Sequence, residues 1–140
     1  MIALTRPRVA LLAATIPMVA AGAWVLRHVD PNLPNNLLPK CVFHSVTGYW
    51  CPGCGMTRAL HALVHGDVLT ALHMNPLGML MLPALPAMLF WSWGWQPRVL
   101  QPVMRWLMDP RVWLAVIPAY WLLRNLPWFP FTLLAPPGSP

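Results

Sequence analysis

The sequence predicts an all-α integral membrane protein with two or three transmembrane helices. Between the first two it predicts a cysteine-containing loop and short interfacial helices. Three observations carry this. Hydrophobic residues make up 58% of the 140 and charged residues only 9%, whereas a soluble domain needs about 25% charged residues to cover its surface. The nine basic residues flank apolar runs instead of gathering on one face. The nine Trp include Trp91, Trp93 and Trp95 at the end of one run, where indoles settle at headgroup level. The same composition excludes several classes. Intrinsic disorder needs low hydrophobicity. Carboxylate-pair hydrolysis and oxygen-ligated two-metal chemistry need acids, and only Asp30, Asp67 and Asp109 are present. Nucleic-acid binding needs a basic, aromatic-laced soluble face, and none is visible.

The first run, 9–26, lies between Arg8 and Arg27. At about 1.5 Å per residue it approaches the ~30 Å hydrocarbon core. Pro17 is tolerated in a membrane helix. A cleaved signal peptide is the rival reading, with Ala21-Gly22-Ala23 as the small-residue site. The run exceeds the usual apolar region of about 7–15 residues, which favours a retained helix. Asp30 to Lys40, with Pro31, Pro34 and Pro39, reads as a loop outside the bilayer. Cys41 to Cys54 reads as irregular structure. A short helix follows, capped by Thr57 and stopped at Gly66. It places Arg58, His61 and His65 on one face, suited to an interface plane. Asp67 caps a second short helix through His73, which completes the 41–74 segment.

Asn75-Pro76 is a cap followed by proline at the first helical position, and opens span two over 77–95. Gln96 to Arg111 reads as a basic connector on the membrane surface. Val112 to Leu123 is too short to cross alone. Extended to 134 it takes in Arg124, Asn125, Pro127 and Pro130. A central Arg costs roughly 2.5–3.5 kcal/mol on insertion scales, so 112–134 reads as a broken third span or a re-entrant segment. Residues 135–140 read as a frayed tail. Arg6 and Arg8, with Arg98, Arg105 and Arg111, mark the cytoplasmic side. The cysteine loop then faces outward.

The three cysteines, Cys41, Cys51 and Cys54, fall close together around Cys51-Pro52-Gly53-Cys54-Gly55. Three roles fit. Zinc takes four thiolate or imidazole ligands; the cysteines supply three, and His44, His61 or His65 is a candidate fourth. Alternatively, Cys51 and Cys54 exchange thiol for disulfide, with a helix N-terminus and Arg58 favouring the thiolate in an oxidising compartment. The third role is a structural disulfide pinning the loop, with one cysteine left over.

The residues also resemble a known family. Thr47-Gly48, then Cys51-Pro52-Gly53-Cys54-Gly55-Met56-Thr57-Arg58-Ala59, then Gly66-Asp67, Ala71 and Asn75-Pro76-Leu77 are similar to a family of small bacterial membrane proteins catalogued as a domain of unknown function. The resemblance implies a multi-span helical protein of the bacterial cell membrane and carries no activity. In it Cys41, Cys51, Cys54, Thr57, Arg58, Asp67 and Asn75 match the pattern, whereas His44, His61 and His65 do not. This moves the fourth-ligand expectation toward Asp67, a backbone group or a partner protein.

Plainer roles stand beside the chemical ones. Thr57, Asp67 and Asn75 are caps. Arg58 meets a lipid phosphate or Asp67. His61 and His65 are polar-face residues. There is no local Ser-His-Asp signature, phosphate-cradling Gly loop or His-Glu-x-x-His helix, so no enzyme class is assigned. The expected cofactor is zinc. The expected partners are the bilayer and another membrane protein, the latter motivated by Arg124, which needs a counter-charge that this acid-poor chain scarcely supplies.

Overall fold

A long apolar run bounded by arginines has one economical solution, a helix whose backbone satisfies itself. Helix α1 spans Arg6–His28 and carries Pro17 within it. In the computed structural model, which describes residues 6–33, 38 and 41–136, all regular structure in the described residues is helical. Within α1, Val9–His28 is long and apolar enough to cross a membrane, with a mean hydropathy of 2.1 and none of it buried by the rest of the chain. Its exposed residues include Ile16, Met18, Val19 and Trp24. The expected flank at Lys40 and the Pro34 and Pro39 positions lie outside the described residues.

Part of the expected irregular segment is ordered. Val42–Thr47 forms α2, ended by Gly48 at φ 73, a left-handed cap that glycine adopts at no steric cost. Gly55, not Thr57, starts α3, which spans Met56–Val64. Side-chain chemistry alone favours Thr57 as the cap. The chain instead enters the helix from a left-handed glycine at φ 82, because the preceding knuckle turns too tightly for a β-region cap. A Cβ on Gly55 would sit 2.5 Å from the Met74 carbonyl oxygen, so the position is doubly restricted.

Asp67 does cap α4, Val68–Met74, accepting from the Thr70 N–H at 3.0 Å. Helices α3 and α4 close on each other through Ala59, Ala62 and Ala71, with Met74 and Met79 completing the buried cluster. Ala59 and Ala71 have no exposed surface; small side chains let the backbones approach closely.

Asn75 breaks the chain between α4 and α5, Pro76–Ser92. The bend is 109°, and the pair passes as a membrane segment only if read as a broken span or a re-entrant loop. Helix α5 itself ends at Ser92, short of the expected Trp95, because the Trp93, Gly94 and Trp95 N–H groups turn back to Phe90 and its neighbours. The expected connector contains a 3₁₀ turn, Arg98–Leu100, and α6, Gln101–Leu107. Helix α7 is Pro110–Arg124, capped by Asp109. The 112–134 segment is thus not one helix: α7 stops at Arg124, and a 3₁₀ turn at Phe131–Leu134 folds back against it. Of the expected frayed tail, Pro136 is buried and lies beside Gly55; 137–140 lies outside the described residues.

Candidate metal centre

The Cys51-Pro52-Gly53-Cys54 turn brings all three thiols together. Cys51 Sγ is 3.0 Å from Cys54 Sγ and 3.3 Å from Cys41 Sγ, and all three sulfurs lie within 4.8 Å of one another. None is in a disulfide. The knuckle closes on itself through Cys54 N–H to the Cys51 carbonyl at 3.1 Å and Met56 N–H to the Gly53 carbonyl at 3.1 Å. The Cys51 N–H points at Cys54 Sγ, 3.2 Å away, a donor that stabilises sulfur charge. Cys41 enters from the start of α2.

The thiols are unequal. Burial pushes the Cys54 thiol up to about 12, helped by its contacts with the Cys51 and Cys41 thiols. Burial also raises Cys41, but the N–H groups of His44 and Phe43 and the two neighbouring thiols outweigh it, leaving Cys41 below the usual thiol range; neither N–H closes a geometric cap. The expectation that the α3 N-terminus and Arg58 would favour a Cys54 thiolate is therefore overturned. Desolvation dominates at Cys54, which is only 5% exposed.

What holds the knuckle comes from far along the chain. Arg124, 1% exposed, inserts its guanidinium beneath it. One terminal nitrogen donates to the Cys51 and Pro52 carbonyls at 3.0 and 3.2 Å, the other to Cys54 and Met74 at 3.1 and 3.4 Å. The Tyr120 ring lies 5.2 Å from the guanidinium carbon. Asn75, also 1% exposed, donates to Pro52 and Cys54 at 2.9 and 3.2 Å. Its oxygen caps Gly78 N–H at 2.9 Å and accepts from the Tyr120 hydroxyl at 3.3 Å. Asn125 clamps Trp50, accepting from its N–H at 2.7 Å and donating to its carbonyl at 2.9 Å. Carbonyl dipoles face the two terminal nitrogens of Arg124, an arrangement that buried cations use when acids are scarce, while its Nε–H is buried without an acceptor.

The remaining expected residues lie elsewhere. His44 stacks on Trp50 at 3.9 Å, with Nδ1 at the Tyr49 carbonyl. His61 and His65 face the end of α1. Asp67 caps α4, and the Thr70 side chain and N–H that face its carboxyl lower it. Among the described residues the one acid–base side-chain contact is His61 Nε2 with Asp30 Oδ1 at 3.8 Å, so Arg58 and Asp67 do not pair. Thr57 is exposed on α3. No histidine or aspartate joins the three sulfurs. Sequence reasoning missed the Arg124 and Asn125 role. Their signal was an arginine inside an apolar stretch, read as a cost and not as a tether.

The donor set fits a soft or borderline cation. At a zinc–sulfur distance of about 2.3 Å, tetrahedral thiolates stand about 3.7 Å apart. The two short sulfur separations need open by less than about 1 Å to reach it. A bound cation would also reverse the penalty on Cys54, because metal-bound thiols are deprotonated outright.

The fold and site define a helical protein with one candidate membrane-crossing helix and a three-cysteine loop. Residues 41–89, a little over a third of the chain, match the family model described as "Protein of unknown function (DUF2752)". No curated protein and no solved structure matches the chain.

Proposed function

We propose that this is a small multi-span membrane protein whose outward-facing loop binds a metal ion, zinc by preference, through Cys41, Cys51 and Cys54. The carrying observation is the convergence of three unpaired thiols within 4.8 Å on a turn held from behind by Arg124 and Asn75. Such a preorganised donor set lowers the cost of ligand ordering. Zinc suits thiolates that undergo no redox change. The chain supplies three ligands, and the fourth position is open to water or to a group from a partner. The spans are α1, the bent α4–α5 pair and the broken 112–134 segment, and basic flanks set the loop outside. The test is thiol protection. In mild detergent, zinc should slow alkylation of all three cysteines together, and a chelator should restore it. Alkylation indifferent to zinc overturns the proposal.

Thiol–disulfide exchange is a second reading, favoured by one feature: Cys51 Sγ is within 3.3 Å of both other sulfurs, so it can pair with either. Mapping a Cys51 disulfide in protein isolated without reductant would support it. Fully reduced thiols under those conditions would count against it.

A further inference from the structure

We propose that Asp30, His61 and His65 form a second metal site, separate from the cysteine centre, for a divalent transition ion with nitrogen and oxygen preference. It lies where the end of α1 meets α3. His61 and His65 occupy i and i+4 positions, and their rings are 4.4 Å apart. Each ring has its Nδ1 against a backbone carbonyl: Leu26 for His61 at 2.6 Å, His61 itself for His65 at 2.8 Å. A ring nitrogen facing a carbonyl must carry its proton to make that bond. In the neutral imidazole the Nε2 of each ring then presents a lone pair. This is the orientation that second-shell carbonyls impose on metal-binding histidines. The third group is already adjacent, with Asp30 Oδ1 3.8 Å from His61 Nε2.

Asp30 is oriented too, since Oδ1 accepts from the Asn32 backbone and side chain at 2.8 Å each. Two imidazoles and one carboxylate are a ligand set with open positions for a solvent molecule or substrate. Both outer groups are open to solvent: His65 is exposed and the Asp30 side chain is 42% exposed. The Leu26 carbonyl already ties α1 to His61, so a bound ion would fasten the candidate membrane helix to the cysteine-bearing domain.

The experiment uses the full chain in mild detergent with all three cysteines replaced by serine, and zinc alone as probe. Histidine modification by diethyl pyrocarbonate is mapped by mass spectrometry. Zinc should protect His61 and His65 and leave His73 unprotected; His73 is an exposed histidine with the same ring-to-carbonyl bond but no second histidine ring against it. His65→Ala and Asp30→Asn should each weaken zinc binding by at least about ten-fold. Equal protection of all three histidines, no protection, or unchanged binding in His65→Ala overturns the site. If the cysteine-free chain does not fold, the mapping is repeated on wild-type protein beyond its first equivalent of zinc, with the same outcomes.

Discussion

Arg124→Met removes a cation while keeping an apolar stem of similar length. The guanidinium makes four hydrogen bonds to carbonyls, two of them at 3.0–3.1 Å. Each charge-assisted bond is worth about 1.5–3 kcal/mol. Part of that loss is offset. The Cys51 carbonyl keeps the Cys54 N–H, and the Pro52 and Cys54 carbonyls keep the Asn75 amide. The arginine also has a buried Nε–H with no acceptor, and its desolvation costs several kcal/mol that methionine avoids. The balance is a loss of about 3 kcal/mol, concentrated at the knuckle. Cys54 is buried, so reagents reach it only through local opening. Alkylation of Cys54 in metal-free protein, at fixed pH and in detergent, should accelerate about 100-fold in the variant. Arg124→Lys should fall between, because an ammonium cannot span four acceptors as a planar fork does. Labelling of Cys54 in Arg124→Met within about three-fold of wild type would refute the tether.

Two further outcomes follow from local geometry. Gly55→Ala forces a Cβ to 2.5 Å from the Met74 carbonyl oxygen and 3.2 Å from its carbon at a φ of 82, two backbone atoms that cannot yield; the variant should lose more than about 2 kcal/mol in thermal unfolding, and an unchanged melting temperature would contradict the close approach. Asp67 has its carboxyl lowered by its hydrogen bonds to Thr70, so its contribution is fully present above the unfolded value of about 3.9 and is lost as pH falls through the lower folded value. Unfolding temperatures of wild type and Asp67→Ala should therefore differ at pH 7 and converge in acid, and a constant difference across that range would show that the charge is not what stabilises α4.

Local chemistry was legible in the sequence, and distant chemistry was not. Asp67 and Asn75 read as caps because a capping bond spans three residues, and both make it. The cysteines read as one site because the Pro-Gly turn is short. Helix α2 escaped notice because its Val42, Val46 and Thr47 are stiff at χ1. It is supported by contacts that no window contains, such as Phe43 against Trp121 at 6.3 Å. Histidine spacing suggests a fourth ligand beside the cysteines, but His61 is held instead by Leu26 and Asp30 at the end of α1. Arg124 shows the limit most clearly. Its acceptors are Cys51, Pro52, Cys54 and Met74, fifty or more positions away, so its sequence neighbours gave only the expense of burying it.

The central claim is that the three-cysteine loop holds a metal. Its most direct test is metal content by mass spectrometry, on untagged protein purified in mild detergent, with Cys51→Ser in parallel. The account predicts a metal, zinc above others, bound stoichiometrically in wild type and lost in Cys51→Ser. Metal-free wild type, or equal metal in both proteins, would contradict it.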